Sequence, residues 1–178
     1  MPERRGRLNL ATTVRILGID PGSRYTGWGV IDVLGQRQTA VAWGCVRLGD
    51  AAFDQRVRKI YESLHDLVGE YRPAEAALED VFVNRNAMSA LKLGQARGAA
   101  MAAIACMDVP ISAYPPARVK QSIVGNGRAD KTQVGHMVRA LLGVQKPIQA
   151  DAADALAIAV CHAHWRSSPA ARLLAQSS

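Results

Sequence analysis

The sequence predicts an α/β domain built on a mixed sheet, with antiparallel hairpins at its start and helices on its faces. Apolar β-forming segments dominate the first 48 residues, where short polar turns separate them. From Phe53 onward, apolar residues recur every three or four positions, and these stretches alternate with two further short apolar segments. Hairpin-linked strands followed by alternating helices and strands indicate a layered α/β domain.

The predicted strands are short segments rich in β-branched and aromatic residues, bounded by turn-forming residues. They cover residues 14–19, 25–33, 40–48, 76–81 and 110–114. The tight connections between the first three imply antiparallel pairing, and the turn after the first contains Asp20-Pro-Gly-Ser-Arg24.

The predicted helices follow apolar spacing and stretches of good helix formers, and Pro73 ends the first of them. They cover residues 53–71, 86–107, 117–123, 130–142 and 151–165. This element order is that of the ribonuclease-H-like architecture. We expect one domain over residues 14–166, with flexible ends at 1–13 and 167–178.

The composition narrows the class of protein. With 178 residues, 49% of them hydrophobic and 21% charged, the chain can bury a substantial core, which excludes a disordered tail or a disulfide-stapled miniprotein. The absence of a 20-residue apolar run and of a signal-like start predicts a cytoplasmic protein without membrane insertion. The three cysteines lack C-x-x-C spacing, so we expect reduced and mostly buried thiols.

The net charge of +7 is concentrated in the middle of the chain. Residues 81–150 hold nine basic and two acidic residues, whereas the segments on either side are balanced. This concentration favours a surface that binds a polyanion, although a solvated basic face without a partner remains an alternative. All six candidate DNA-binding residues lie in this segment. Three of them, Arg85, Arg118 and Arg128, are candidates because of their charge, and the other three are described below.

Four carboxylates have unusually apolar neighbours. Asp20 ends the first strand, and Glu79 follows Ala-Ala-Leu in a later one. Asp151 and Asp154 open an Ala/Leu/Ile-rich helix, and their spacing of three places them on one face near the positive end of the helix dipole. Buried carboxylates require a partner or a cation.

These four carboxylates predict a metal site if their two strands are neighbours and the last helix crosses the strand ends. Oxygen ligands favour magnesium or manganese over zinc. Two ions about 4 Å apart would support in-line hydrolysis of a phosphodiester. Taken singly, Asp20 could instead cap a turn and Asp151 could cap a helix.

Two further residues near this site have open interpretations. Phe82 follows Glu79 at the start of a polar loop, where it either fills the core or stacks on DNA bases. His162 lies in a Cys-His-Ala-His cluster on the last helix, where it could contact the carboxylates without binding the metal itself. For its neighbour Cys161, packing in the core is the better interpretation.

Five sequence blocks together resemble the RuvC family of Holliday-junction resolvases over residues 14–165. They are Gly18-Ile-Asp-Pro-Gly-Ser-Arg24 with Thr26-Gly27, Leu78-Glu-Asp-Val-Phe82, Ser89-Ala-Leu-Lys-Leu-Gly-Gln-Ala-Arg-Gly98, Val119-Lys-Gln121 and Gln149-Ala-Asp-Ala-Ala-Asp-Ala-Leu-Ala157. The resemblance implies a ribonuclease-H-like fold and a homodimer that nicks two opposed strands of a four-way DNA junction. It also implies RuvA and RuvB as partner proteins.

By this resemblance, the family's acidic residues fall on Asp20, Glu79, Asp151 and Asp154. They would act as catalytic residues and ligands of Mg²⁺, with two ions per active site and Mn²⁺ as a substitute. The DNA-contacting aromatic falls on Phe82, and the basic residues near the scissile phosphate fall on Lys120 and Lys131.

A dimer interface and two rival functions complete the expectations. Small residues of the long helix could form the interface or pack on their own sheet; they are Ala96, Ala99, Ala100 and Ala103. One rival is an actin-like ATPase, which would need a second domain and a second phosphate loop. The other is a catalytically inactive junction-binding module, which would leave the four carboxylates unexplained.

Overall fold

The structure is a computed structural model that describes residues 12–80, 87–169 and 171. The described residues form five strands and five helices. The strands are β1 (Val14–Asp20), β2 (Tyr25–Leu34), β3 (Arg37–Arg47), β4 (Glu75–Glu79) and β5 (Ile111–Tyr114). The helices are α1 (Phe53–Tyr71), α2 (Ala87–Ala105), α3 (Pro116–Val124), α4 (Lys131–Leu142) and α5 (Ala150–Arg166). None of the described helices is long and apolar enough to cross a membrane.

The strands form one mixed sheet in the order β3-β2-β1-β4-β5. β1, β2 and β3 pair antiparallel, whereas β4 lies parallel to both β1 and β5. The predicted mixed sheet is therefore confirmed. β3 begins at Arg37, three residues before its predicted start, because Gly35 adopts a positive φ of 60° and closes a tight hairpin after Leu34.

Alternation along the strands divides the core between the two faces of the sheet. In β1, Ile16 belongs to the core beneath α3, α4 and α5, whereas its neighbours Leu17 and Ile19 belong to the core beneath α1 and α2. Because successive side chains point to opposite faces, Gly18 and Asp20 share the face of Ile16. Glu79 in β4 shares the face of Ala77, which belongs to the same core as Ile16.

Glycines on this face let α5 lie directly against the sheet. A Cβ at Gly18 would collide with the carbonyl oxygen of Ala155 and lie 2.8 Å from the amide nitrogen of Ala159. A Cβ at Gly27 would collide with the backbone of Asp151. The glycines thus set the depth at which the first turn of α5 approaches the end of β1.

Burial decides between the two alternatives for the alanines of α2 and corrects the expectation that the thiols are mostly buried. The four alanines proposed as a dimer interface are at most 8% exposed and pack in the core beneath α1 and α2. They satisfy the packing alternative, since an alanine stripe at helical spacing lets α2 lie close to its own sheet. Of the three thiols, Cys161 is buried, but Cys45 is only half-buried and Cys106 is exposed on the turn after α2.

Candidate active site

Parallel pairing places two of the predicted carboxylates side by side. Ile19 of β1 is in register with Leu78 of β4, so Asp20 and Glu79 follow as the terminal residues of adjacent strands. Strand parity directs both side chains to the face that α5 covers. The condition set by the sequence, that these two strands are neighbours, is confirmed.

The first turns of α5 bring Asp154 to the same strand ends, whereas Asp151 lies to one side. A cleft of about 240 Å³ is lined by Asp20, Glu79 and Asp154, together with Lys120 of α3 and Lys131 of α4. Asp151 is not part of this lining. Its Oδ2 lies 4.0 Å from the Sγ of Cys45 on β3, at the side of the cleft.

The cleft raises the affinity of its carboxylates for protons. Burial raises the pKa of Asp20 to about 7, and repulsion from Asp154 and then from Glu79 adds to the shift. Burial also raises the pKa of Glu79, with a further contribution from Asp154, although Lys131 and Lys120 oppose it. These carboxylates therefore lack sufficient positive charge among the described residues, as expected for groups that share a cation.

Lys131 provides one positive charge because of how α4 begins. Asp130 caps the helix by accepting from the amide of Gln133 at 2.9 Å, while the Gln133 side chain accepts from the Asp130 amide at 3.3 Å. This capping box fixes Lys131 as the first helical residue. Its Nζ donates to Oδ2 of Asp154 at 2.9 Å, a bond that raises the lysine pKa.

The donor set fits a hard divalent cation. Asp20, Glu79 and Asp154 offer carboxylate oxygens, and the ammonium of Lys131 already pairs with one of them. The described residues do not preform a group of three or more His, Cys, Asp or Glu side chains at ligating distances, so binding would require these side chains to converge. Mutual repulsion in the cleft favours that convergence around a cation.

The remaining DNA-binding candidates are dispersed. Arg118 lies on the side of α3 away from the cleft, with its guanidinium carbon 4.9 Å from the ring centre of Trp165. Arg128 is exposed in the loop before α4, where its amide donates to Asn126 Oδ1 at 2.9 Å. Phe82 and Arg85 lie outside the described residues.

The proposed support of the carboxylates by His162 is wrong. Its Nε2 donates to Oε2 of Glu75 at 2.7 Å, and its Nδ1 shares a 2.7 Å hydrogen bond with the hydroxyl of Tyr114. Glu75 begins β4, whereas Glu79 ends it, so the histidine lies at the opposite end of the strand from the cleft. Three turns of α5 separate His162 from Asp151, so the two residues lie at opposite ends of the helix although they belong to the same element.

Two contacts beside the cleft were not predicted from the sequence. The thiol of Cys45 approaches Asp151 across 106 residues of sequence, and no local pattern marks it. Arg97 of α2 donates to the carbonyl oxygen of Glu79 and to the carboxylate of Asp80, each at 3.3 Å. One signal for the second contact exists in the sequence, because Pro21 cannot donate a hydrogen bond at the end of β1.

Strand-end carboxylates on a mixed sheet, faced by two further carboxylates at the start of a covering helix, define the metal-dependent nucleases of ribonuclease-H-like fold. The family model described as crossover junction endodeoxyribonuclease RuvC matches residues 16–162. The chain therefore belongs to the RuvC family of crossover junction endodeoxyribonucleases.

Curated relatives and a solved structure agree with this assignment. The chain is 56% identical over 156 residues to the RuvC of Halorhodospira halophila (strain DSM 244 / SL1), covering 87% of this chain and 93% of that protein. It is 54% identical over 153 residues to the RuvC of Marinobacter nauticus (strain ATCC 700491 / DSM 11845 / VT8), covering 86% and 87%. The structure of T. thermophilus RuvC in complex with Holliday junction substrate matches with a TM-score of 0.80 and 35% identity, covering 85% of this chain and 94% of that one. These relatives do not favour the ATPase or the inactive binding module.

Proposed function

We propose that this chain resolves four-way DNA junctions by metal-dependent nicking of two opposed strands, with Asp20, Glu79, Asp151 and Asp154 as its metal ligands. The observation that carries the proposal is the cleft in which three of these carboxylates meet and repel one another. The fourth, Asp151, begins the same helix as Asp154 and adds to the repulsion at Asp20. A junction substrate is supported by the similarity to T. thermophilus RuvC, whose structure was solved in complex with Holliday junction substrate.

The proposed metal is Mg²⁺, two ions per site, with Mn²⁺ as a substitute. An all-carboxylate donor set favours these hard cations. Bound there, they would supply an activated water and stabilise the leaving oxygen of the phosphodiester. The chain's own part is to hold the carboxylates at the ends of rigid strands and at the start of α5, so that rotation of the side chains can bring the ligand oxygens together around the cation.

The two lysines of the cleft act on the substrate in this proposal. Lys120 and Lys131 approach from α3 and α4, opposite the strand ends that carry Asp20 and Glu79. Lys131 is 77% exposed, so its bond to Asp154 is readily exchanged for a phosphate oxygen. Cations placed there stabilise the negative charge that grows on the phosphate in the transition state.

Affinity for the junction arms comes from the basic segment. Arg85, Arg118 and Arg128 are proposed to contact backbone phosphates, and Phe82 is proposed to stack on bases at the junction centre. Arg118 lines a separate groove with Trp165, so in this proposal it contacts DNA beside the cleft and not within it. Binding is expected to weaken steeply with salt.

A homodimer supplies one site to each of the two cut strands. The buried alanines exclude one face of α2 as an interface, which leaves its solvent-facing stripe. Small and apolar residues recur there at helical spacing, and a Cβ added at either glycine meets no neighbouring atom; they are Leu91, Gly94, Gly98 and Ala102. This open stripe supports close packing of two copies of α2.

The wider setting of the proposal follows family membership. We propose residues 14–166 as the nuclease domain, RuvA and RuvB as partner proteins, and the cytoplasm as the site of action. The elements of the sheet and its covering helices begin at Val14 and end at Arg166.

A nicking assay on synthetic four-way junctions with Mg²⁺ tests the proposal. Replacing any one of the four carboxylates by its amide is expected to abolish nicking while junction binding is retained, because metal ligands supply chemistry and phosphate contacts supply affinity. Wild-type cleavage by one variant would remove that residue from the site. Loss of binding in all four would contradict the division of roles.

The stacking role of Phe82 requires a separate measurement. Phe82→Ala is expected to lose cleavage of intact junctions without a change in the melting temperature, whereas Phe82→Trp keeps much of the cleavage. If the ring fills the core, the alanine variant would instead lose roughly 3–5 kcal/mol of stability.

The dimer proposal is tested by sedimentation of the wild type and of Gly98→Glu. The added side chain has open space within the protomer but would obstruct a second copy of α2, so a monomer is expected. Gly69→Glu, at an equally open position on α1, is the control and is expected to remain dimeric. A dimeric Gly98→Glu variant would exclude this face.

A further inference from the structure

The pairing between β1 and β4 ends with Ile19 and Leu78, because the next residue of β1 that could donate a hydrogen bond is a proline. The amide of Asp80 donates to the carbonyl oxygen of Tyr114 on β5 at 2.8 Å. Because the two ends of a trans peptide point in opposite directions, the carbonyl of Glu79 faces β1. Ile19 pairs with Leu78. Continuing this register places Asp20 opposite Glu79, so in a parallel ladder the donor to the Glu79 carbonyl would come from residue 21. That residue is Pro21, which has no N–H.

Arg97 supplies the donor that Pro21 lacks. Its Nε donates to the carbonyl oxygen of Glu79 at 3.3 Å, and one terminal nitrogen donates to Oδ1 of Asp80 at 3.3 Å. The arginine side chain is 22% exposed and extends from α2, which buried alanines hold against the sheet. The peptide group between Glu79 and Asp80 is therefore held at both ends, by Arg97 on one side and Tyr114 on the other.

We propose that Arg97 is a positioning residue for the nuclease reaction: by fixing this peptide group it sets the direction in which the Glu79 side chain leaves the end of β4. The proposal rests on the proposed role of Glu79 as a metal ligand. The bond to Asp80 has a second effect, because it holds that carboxylate on the α2 side of the sheet. This contact disfavours rotation of Asp80 toward the cleft, where it would compete for the cation.

The opposite end of β4 offers a matched comparison. Arg166 donates through its Nε to Oε1 of Glu75 at 2.7 Å. It is therefore also an arginine that anchors β4 from a neighbouring helix, with a side chain 36% exposed. Arg166 lies at the end of α5 remote from the cleft. A purely structural contribution of Arg97 would resemble that of Arg166, whereas a positioning role would change the response to metal.

The experiment measures single-turnover nicking of a synthetic four-way junction against Mg²⁺ concentration. Arg97→Gln is expected to raise the half-saturating Mg²⁺ concentration by about tenfold, in the range typical of lost ligand-orienting contacts, with junction binding in Ca²⁺ unchanged. Arg97→Lys, which keeps the charge and can reach one acceptor, is expected to recover part of that loss. Arg166→Gln is expected to keep the wild-type Mg²⁺ response at a temperature where it remains folded.

Asp80→Asn and the double variant identify the route of the effect. If Arg97 acts through this peptide, Arg97→Gln combined with Asp80→Asn is expected to show no further loss beyond Arg97→Gln alone. A half-saturating Mg²⁺ concentration for Arg97→Gln within twofold of that for Arg166→Gln would overturn the proposal. Failure of the proposed function appears separately, as wild-type nicking by Glu79→Gln.

Discussion

The two ends of β4 carry the same residue type and place it in opposite environments. Glu75 accepts from His162 and from Arg166, each at 2.7 Å, and the hydrogen bond from His162 is the main reason that its pKa is lowered. Glu79 lines the cleft with two other carboxylates, and burial followed by repulsion from Asp154 raises its pKa. Both side chains point to the same face of the sheet.

This difference separates a carboxylate that stabilises the fold from one reserved for a ligand. Glu75 has its partners within the chain, so its ionisation favours the folded state. Glu79 and Asp20 are held together at a cost, which is expected of groups selected for binding rather than for stability. α5 serves both ends, because it begins beside Glu79 with Asp154 and ends beside Glu75 with Arg166.

Gly18→Ala should affect both ends of β4 at once, in stability and in nicking. The new Cβ would collide with the backbone of α5 at Ala155, so the helix would have to move away from β1. We expect a loss of about 1–3 kcal/mol of stability from overpacking. Displaced ligands should lower nicking by roughly 10²-fold. Unfolding by urea and single-turnover nicking provide the measurements.

Gly69→Ala is the matched control for that substitution. Gly69 lies in α1, and a Cβ there meets no neighbouring atom. We expect a gain of roughly 0.5–1 kcal/mol with full activity. Equal nicking activity in Gly18→Ala and Gly69→Ala would mean that the distance between α5 and the sheet does not determine the geometry of the cleft.

Asp20→Asn should stabilise the metal-free protein at neutral pH. The folded-state pKa of Asp20, about 7, lies above its usual 3.8, so ionisation opposes folding as pH rises between these values. At roughly 1.4 kcal/mol per unit, the gain should be at most about 4 kcal/mol above pH 7 and absent below about pH 4. Thermal melts in EDTA across this range provide the check. A variant less stable than the wild type at pH 8 would contradict the repulsion.

Glu75→Gln should show the reverse dependence on pH. Because the folded-state pKa of Glu75 is lowered below its usual 4.5, the carboxylate stabilises the fold above that pH and loses its contribution as acid protonates it. We expect a loss of roughly 1.5–3 kcal/mol at pH 7, typical of hydrogen bonds to a charged group. The difference from wild type should shrink below pH 4.5, with nicking retained at pH 7.

Lys131→Ala should have the smallest effect on stability. The lysine is 77% exposed, so its ion pair with Asp154 is expected to contribute less than about 1 kcal/mol. Its effect should appear in the cleavage step at saturating enzyme, because the proposed role is to stabilise charge on the phosphate. An unchanged single-turnover rate would reduce Lys131 to a contact that only supports binding.

Much of this contrast was accessible from sequence. Apolar neighbours marked Asp20 and Glu79, since local periodicity reports burial and secondary structure. The adjacency of their strands was the condition for a shared site, and the structure meets it. Partners distant in sequence were not accessible. The separation of His162 from the cleft and its bond to Glu75, 87 residues away, depend on where α5 ends across the sheet. For the same reason, the sequence left open whether the alanines of α2 form an interface or pack in the core, because alanine spacing does not show which neighbour the helix packs against.

Direct binding of Mn²⁺, measured by electron paramagnetic resonance, tests the central claim that the cleft end of β4 holds a cation and the other end does not. The wild type and Glu75→Gln should bind Mn²⁺ with equal affinity under conditions where both are folded. Glu79→Gln should bind at least about tenfold more weakly, because a ligand is lost from the all-oxygen set. Equal Mn²⁺ affinity in Glu79→Gln and Glu75→Gln would contradict the account.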